Sequence, residues 1–305
     1  MALDSLKLKG LNADVFYYDT KNDSSTVAQI LKRNEFENMD LIIGPFFPKN
    51  HNQVANYAKQ NKVRMICPLA SNSSVLENNR LVYASVPSNI TLMKGMAAYM
   101  LEHNKADNIV LIKPTKESDK ALYNAFRDAF NETPVLGARP ALKETEMAGL
   151  KNFIHRGVNT IFVVPTTDNY TAGKMMNTLN RSAFRSKADD LFVYGTKEWI
   201  AFSDINETYK NKYNFHFPYP NFLDYYSDGM KSMNKEYRNQ FQTDMPRMAV
   251  QGYDVIMHYC SEFFLNSDAF LLMNDVESQQ ISESDGYENK KVFMIKQEEF
   301  ELINV

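Results

Sequence analysis

At 305 residues the chain is longer than most single domains, so two lobes of roughly 100 to 150 residues, each burying its own core, are expected. Its 34 Lys and Arg against 37 Asp and Glu leave a formal net charge of −3 with both signs interspersed, which removes the electrostatic case for nucleic acid or an anionic membrane surface. No run of about 20 apolar residues exists to span a bilayer, and Cys67 and Cys260 make neither a disulfide framework nor a metal site, so both read as buried thiols in apolar runs. The 17 Tyr and 20 Phe are read first as core filler, with Tyr also able to face a small ligand.

Residues 1–7 read as the last turns of a helix closed by Gly10, with no secretory signal before them, as expected of a fragment cut from something longer. A strand is predicted over 14–18 and a helix over 24–36, with Val27, Ile30 and Leu31 on one face. The stretch that organises the rest follows. Leu41, Ile42 and Ile43 are closed by Gly44 and Pro45, and Val63, Arg64, Met65, Ile66 and Cys67 by Pro68. Each run is too short for a helix and lacks alternation, which suits a parallel strand covered on both faces. Between them Val54, Tyr57 and Ala58 lie at helical spacing, so the unit reads as a right-handed βαβ crossover. Ligands in open sheets of this kind sit at the carboxyl ends of the strands, here 44–49 and 68–74. Ser74 and Glu77 fit a capping box, 81–85 is a further strand, and 86–89 is a crossing point.

Beyond it the pattern restarts. Leu92, Met96, Tyr99 and Met100 line a helix, 108–112 is a strand, and Leu122, Ala125, Phe126 and Ala129 mark a second helix. Met147, Leu150 and Ile154 mark another, before a strand over 160–165, a helix holding Met175, Met176 and Leu179, and a strand over 191–195. Residues 213–217 read as a strand returning to the first lobe. Helices follow around Met230, Met233 and Tyr237 and over 249–264, then a polar loop over 278–289 and a closing hairpin of 291–295 with 299–303.

Catalytic motifs are missing from this pattern. The five His have no HExxH or CxxC-like partner, and no GxSxG, GxxxxGK[ST] or GxGxxG turn is present. Polar strand ends remain. Ser71, Asn72, Ser73 and Ser74 precede a helix N-terminus, which either favours an anionic group such as a carboxylate or is only capped by Ser74. Thr166, Thr167, Asp168 and Asn169 hold the equivalent place in the second half, where turn chemistry competes with ligand contact. Glu198 and Trp199 follow a strand ending in Gly195 and form an unspecific site candidate.

Ile42, Ile43, Gly44 and Pro45, then Pro68 to Asn72, the helix of Gly95 after Pro87 and Ser88, and above all Gly252, Tyr253, Asp254 and Val255 resemble the type I periplasmic binding proteins of the leucine/isoleucine/valine-binding branch. The stretch from Tyr194 to Trp199 resembles a Bacteroidetes subgroup that often follows a peptidoglycan-binding lysin-motif segment. The resemblance implies an α/β fold of two Rossmann-like lobes with parallel sheets flanked by helices. Lobe 1 would hold 1–88 and 217–287, and lobe 2 would hold 89–216 and 288–305. Three hinge crossovers are expected near 86–89, 213–220 and 285–290, and the family's first strand is not found in this chain.

The resemblance also implies site residues. Ser71, with Ala70 and Asn72, matches the loop that holds a ligand's carboxylate and amine. Phe46, Phe47 and Pro48 stand where the family usually has a Ser. Glu198 is the candidate partner for a ligand ammonium, Tyr170 lies near the expected aromatic position, and Thr166 and Trp199 complete the set. Tyr253 and Asp254, which open the most apolar helix, are expected to be structural. The leading reading is a non-catalytic solute-binding protein, periplasmic or cell-surface, that closes on a small amino-acid-like or peptide-like ligand in the interlobe cleft. Its partner would be a membrane transporter or a cell-wall component, with no cofactor, metal or nucleic acid. The alternative is a ligand-less interaction module acting in peptidoglycan synthesis or regulation, favoured by the two Phe.

Overall fold

The computed structural model describes residues 1–70, 73–103, 106–273 and 276–305. Helix α1 (Ala2–Leu8) buries Ala2 and Leu6, and the chain leaves it through Gly10 at φ +99°. The strand expected over 14–18 does not form. Those residues join neither sheet, and Val15, Phe16 and Tyr17 are exposed. β-branched and aromatic residues favour a strand only where a partner completes the ladder. Helix α2 (Ser24–Ile30) is shorter than its periodicity predicts. Asp23 caps it by accepting from the Thr26 amide at 2.7 Å, and a 3-10 turn over Asn34–Asn38 replaces its second half.

Strand β1 (Leu41–Ile43), helix α3 (His51–Asn61) and strand β2 (Arg64–Cys67) form the expected parallel crossover, and β3 (Val82–Ala84) adds to β2 in parallel. One core joins the inner faces, with Val54, Ala55 and Ala58 of α3 packed under Met65, Cys67, Val82 and Ala84. Where a capping box is predicted at Ser74, the structure has a short 3-10 turn over Ser73–Leu76, with Ser74 inside it.

The chain then builds a second unit. Helix α4 (Asn89–His103) leads to β4 (Asn108–Ile112), α5 (Lys120–Glu132), β5 (Leu142–Thr145) and β6 (Thr160–Val163). Helix α6 (Asn169–Ser186), β7 (Leu191–Tyr194), the short α7 (Glu207–Lys212) and β8 (His216–Tyr219) follow. Two helices, α8 (Asp228–Phe241) and α9 (Arg247–Cys260), and two strands, β9 (Ser278–Gln280) and β10 (Tyr287–Asn289), return to the first unit. Strands β11 (Phe293–Glu298) and β12 (Glu301–Asn304) close the chain as a hairpin, turned by Glu299 and Phe300 in the left-handed region.

The first unit comprises Met1–Ser88 and Asn221–Lys291, the second Asn89–Pro220 and Val292–Val305. Their sheets run β1-β2-β3-β10-β9 and β12-β11-β8-β7-β6-β4-β5. Both are dominated by parallel pairs and flanked by helices, the two-lobe α/β architecture of the type I periplasmic binding proteins. Residues 217–220, expected with the first lobe, lie in the second unit, where β8 pairs with β7 and β11; residues 288–291 lie in the first.

The polar loop expected over 278–289 is also corrected, because it holds β9 and β10. Its polar residues serve as cross-links, which is why composition hid it. Asn289 Nδ2 donates to the Ser85 carbonyl at 3.0 Å, and Glu288 accepts from the Ser88 amide at 2.6 Å. Tyr287 stacks on Tyr83 with ring centres 4.6 Å apart.

One core of the second unit lies between α4, α5 and the sheet, where Met93, Met96 and Met100 meet Phe126 and Phe130. Gly95 of α4 faces Val292, the first residue of the second unit's C-terminal segment, so closely that an added Cβ would lie 2.7 Å from a Val292 methyl. Gly95→Ala is therefore expected to overpack this contact and cost about 1–3 kcal/mol in urea unfolding. Val292→Ala in the same chain should restore most of the loss. Equal destabilisation in the single and double variants would refute the contact.

Candidate functional site

In the first unit the loop after β1 begins with a cis Gly44–Pro45 peptide, and Gly44 holds φ +109°. The His51 ring anchors the loop by donating from Nε2 to the Pro45 carbonyl at 2.9 Å. Phe46 and Phe47 stand 46 % and 58 % exposed, two aromatic rings without a core to fill. After β2, Gln251 of α9 and the Ser85 hydroxyl both donate to the Pro68 carbonyl, at 2.8 and 3.0 Å, and fix the start of the next loop. Ala70 is buried in the core beneath it. Ser71 and Asn72 lie outside the described residues.

Asp254 opens no site. It is 6 % exposed, and its carboxylate accepts from the Leu272 and Met273 amides at 2.8 and 2.7 Å. The side chain thereby ties α9 to the segment that follows it, and burial pushes its carboxyl up to about 6 against the pull of those two amides.

In the second unit the strand-end loops converge on Asp119, which precedes α5. Its carboxylate accepts from the Thr166 hydroxyl at 2.6 Å, and from the amide and hydroxyl of Thr167 at 3.3 Å. Thr166 also offers its carbonyl to two donors, Thr196 Oγ1 at 2.9 Å and Trp199 Nε1 at 2.8 Å. The β6 and β7 loops are thus laced together through one backbone oxygen. Trp199 is fully buried and stacked on Phe215, with ring centres 5.3 Å apart, so it holds the loop and shows no face to solvent. Asp168 caps α6 through the Thr171 amide and hydroxyl. Lys116 at 2.5 Å, with Thr171, holds its carboxyl down at about 2. Tyr170, one turn position on, is 68 % exposed.

Glu198 lies beside this lattice, its side chain 28 % exposed. Lys197 Nζ sits 2.8 Å from Glu198 Oε1 and donates to Asn89 Oδ1, while Asn89 Nδ2 reaches the same carboxylate oxygen at 3.4 Å. Burial pushes the carboxyl up, but the Lys197 ammonium and local hydrogen bonds outweigh it, so the net shift is downward and the group is ionised. Its second oxygen, Oε2, is buried and has no hydrogen-bond partner among the described residues.

The structure therefore joins Thr166, Glu198 and Trp199 around the ends of β6 and β7, with Tyr170 exposed nearby in sequence, and sets Phe46, Phe47 and Ala70 in the first unit. Sequence reasoning missed Asp119, Lys116 and Asn89. Asp119 stands between a strand and a helix as Asp168 does, and that shared position was the available signal. No group of three or more His, Cys, Asp or Glu side chains is placed to hold a metal among the described residues, and none of the described helices is long and apolar enough to cross a membrane.

Residues 1–261 match the family described as periplasmic binding protein. A search of curated proteins finds no match. Among solved structures, the chain is similar to an ABC transporter substrate-binding protein of Desulfitobacterium hafniense in complex with Leu, at 13 % identity and TM-score 0.64, covering 100 % of this chain and 93 % of that one. It is similar to the leucine-binding protein LivK of Thermotoga maritima at 13 % identity and TM-score 0.59, covering 100 % and 91 %. The C-domain of LpoA from Haemophilus influenzae, a regulator of PBP1A, matches at 14 % identity and TM-score 0.61, covering 100 % and 94 %. At such identities the likeness shows the fold.

Proposed function

Because the chain belongs to the periplasmic binding protein family, we propose that it is a non-catalytic, extracytoplasmic solute-binding protein that closes its two lobes on a small amino-acid-like or peptide-like ligand. Glu198 is the observation that carries this reading. An ionised carboxylate at a strand end, with one oxygen buried and unbonded, bears a desolvation cost that a ligand N–H relieves. Lys197 beside it offers a cation to a ligand carboxylate. In this reading Ser71 with Asn72 and Ala70 anchors the ligand from the first lobe, Phe46 and Phe47 give apolar contact, and Glu198 with Tyr170 receives it from the second. Thr166 and Trp199 hold that loop in shape. Delivery to a membrane transporter follows, as for the ABC transporter substrate-binding protein it resembles.

A melting-temperature screen of branched-chain amino acids, short peptides and muropeptide fragments tests it. A ligand at 100 times its dissociation constant adds about 2.7 kcal/mol, a rise of roughly five degrees or more for a chain of this size. Ser71→Ala should weaken that ligand about tenfold or more, and Glu198→Gln should weaken ammonium-bearing ligands while sparing neutral ones. No shift with any compound would sink the reading.

Two observations favour a second reading, a ligand-less interaction module in cell-wall synthesis. Phe46 and Phe47 are exposed where the family usually has a Ser hydroxyl, and Lys197 already neutralises Glu198. The LpoA C-domain suggests the kind of role. The lysin-motif attachment and Bacteroidetes origin suggested by the stretch from Tyr194 to Trp199 belong with it. Such a module binds its partner through those Phe, so Phe46→Ser with Phe47→Ser should abolish association with a cell-wall enzyme or glycan and leave the fold intact.

A further inference from the structure

Helix α8 and the turn before it enclose a cavity of about 230 Å³ that no strand-end residue lines. Lys231, Asn234, Lys235, Arg238 and Asn239 recur at helical spacing along one wall, Tyr225 forms the other, and Met230 contributes apolar surface. Met230 is 2 % exposed and belongs to a core cluster, whereas the Tyr225 ring is 54 % exposed. The Asp224 carboxylate shapes the turn by accepting from the Tyr226 amide at 2.8 Å.

The charges do not cancel. Arg238 is paired with Asp244, and Asn234 is held by the Met245 amide at 2.8 Å. Lys231 and Lys235 have no side-chain partner among the described residues. Glu236, the acid that follows Lys235 in sequence, does not line the cavity. Two free ammonium groups and a fixed guanidinium therefore meet an aromatic ring and two carboxamides around an apolar floor. Ammonium groups select an anion. Carboxamides suit hydroxyl groups, and a tyrosine ring offers a flat face with a polar rim. The volume lies below the roughly 300–1,000 Å³ of sites that enclose drug-sized ligands, so it fits one ring and excludes a nucleotide.

We propose that this cavity binds an acidic saccharide, a single pyranose bearing a carboxylate, as one unit of an anionic glycan. The site is independent of the strand-end solute site, because no residue is shared between them.

The test titrates the full chain with glucuronate and with glucose, which differ only in the carboxylate, and reads backbone amide shifts along α8 by NMR. Glucuronate should saturate at least about tenfold more tightly than glucose. Lys231→Gln with Lys235→Gln should abolish that preference, and Tyr225→Ala should weaken both sugars. All three substitutions are at exposed positions, so circular dichroism and melting temperature should stay at the parent values, which separates lost binding from lost folding. Inorganic phosphate tests for a bare anion sink, and phosphatidylglycerol vesicles test for a lipid surface. Glucose binding as tightly as glucuronate, phosphate or vesicles matching glucuronate, unchanged binding in the double lysine variant, or no saturable shift at tens of millimolar each overturns the proposal.

Discussion

Asp254→Ala is expected to lower the unfolding free energy by about 2–5 kcal/mol, because it leaves the buried Leu272 and Met273 amides without an acceptor. Urea unfolding of the parent and variant measures the loss. The pH dependence is distinctive. Asp254 holds its proton up to about 6 in the folded chain, against a reference value of 3.8, so between these values the folded state binds a proton that the unfolded state has released. Its contribution is fully present below about pH 4 and falls as pH rises through about 6, by a total on the order of 3 kcal/mol. Asp254→Asn, which does not titrate, should lack this fall. If Asp254→Asn left stability and its slope untouched and abolished ligand binding, the structural role would be wrong.

Glu288→Ala should cost about 3–5 kcal/mol, since it strips a buried site of the carboxylate that receives the Ser88 amide and pairs with Lys290 at 2.5 Å. The sign of its pH dependence is opposite to that of Asp254. Burial pushes this carboxyl up, but Lys290 and the Ser88 hydrogen bonds hold its net value below the reference. Its contribution is therefore present above the reference carboxylate range and is lost as pH falls through the folded value. Unfolding at neutral and acidic pH should show the variant and parent converging in acid. A difference that persists undiminished in acid would remove the ion pair as the cause.

The sequence and the structure agree where composition carries the physics. The β1–α3–β2 crossover was legible because apolar runs closed by Gly44 with Pro45 and by Pro68 leave little choice but buried parallel strands. The strand-end rule picked out Glu198 and Trp199 as candidates, and the structure gives them different places: Trp199 is buried and supports the loop, and Glu198 is the one of the two that meets solvent. Polar strands were missed. β5 reads as Leu, Lys, Glu and Thr at a sheet edge, and β10 buries Glu288 and Asn289 as cross-links, so neither shows the apolar pattern that marks a strand. The opposite error arose over 14–18, where strand-like residues lack the neighbour that would pair them. Asp119 was missed because three hydroxyl and amide donors, brought together only by folding, give a solvated-looking acid its task.

The pairing of β10 with β3 sets a timetable for the folding chain. Tyr287 and Glu288 must find Tyr83 and Ala84, so the first unit's sheet stays open until β10 has been synthesised, long after β3. Closing so long a loop costs only logarithmically more entropy than a short one, but distant contacts still slow the search. The intervening β4 to β8 segment needs no such wait, and once folded it brings the two ends of the gap nearer. Pulse-labelled amide exchange should therefore protect β4, β6 and β7 before β3 and β10, with the first unit's N-terminal part left dependent on the later arrival of β10.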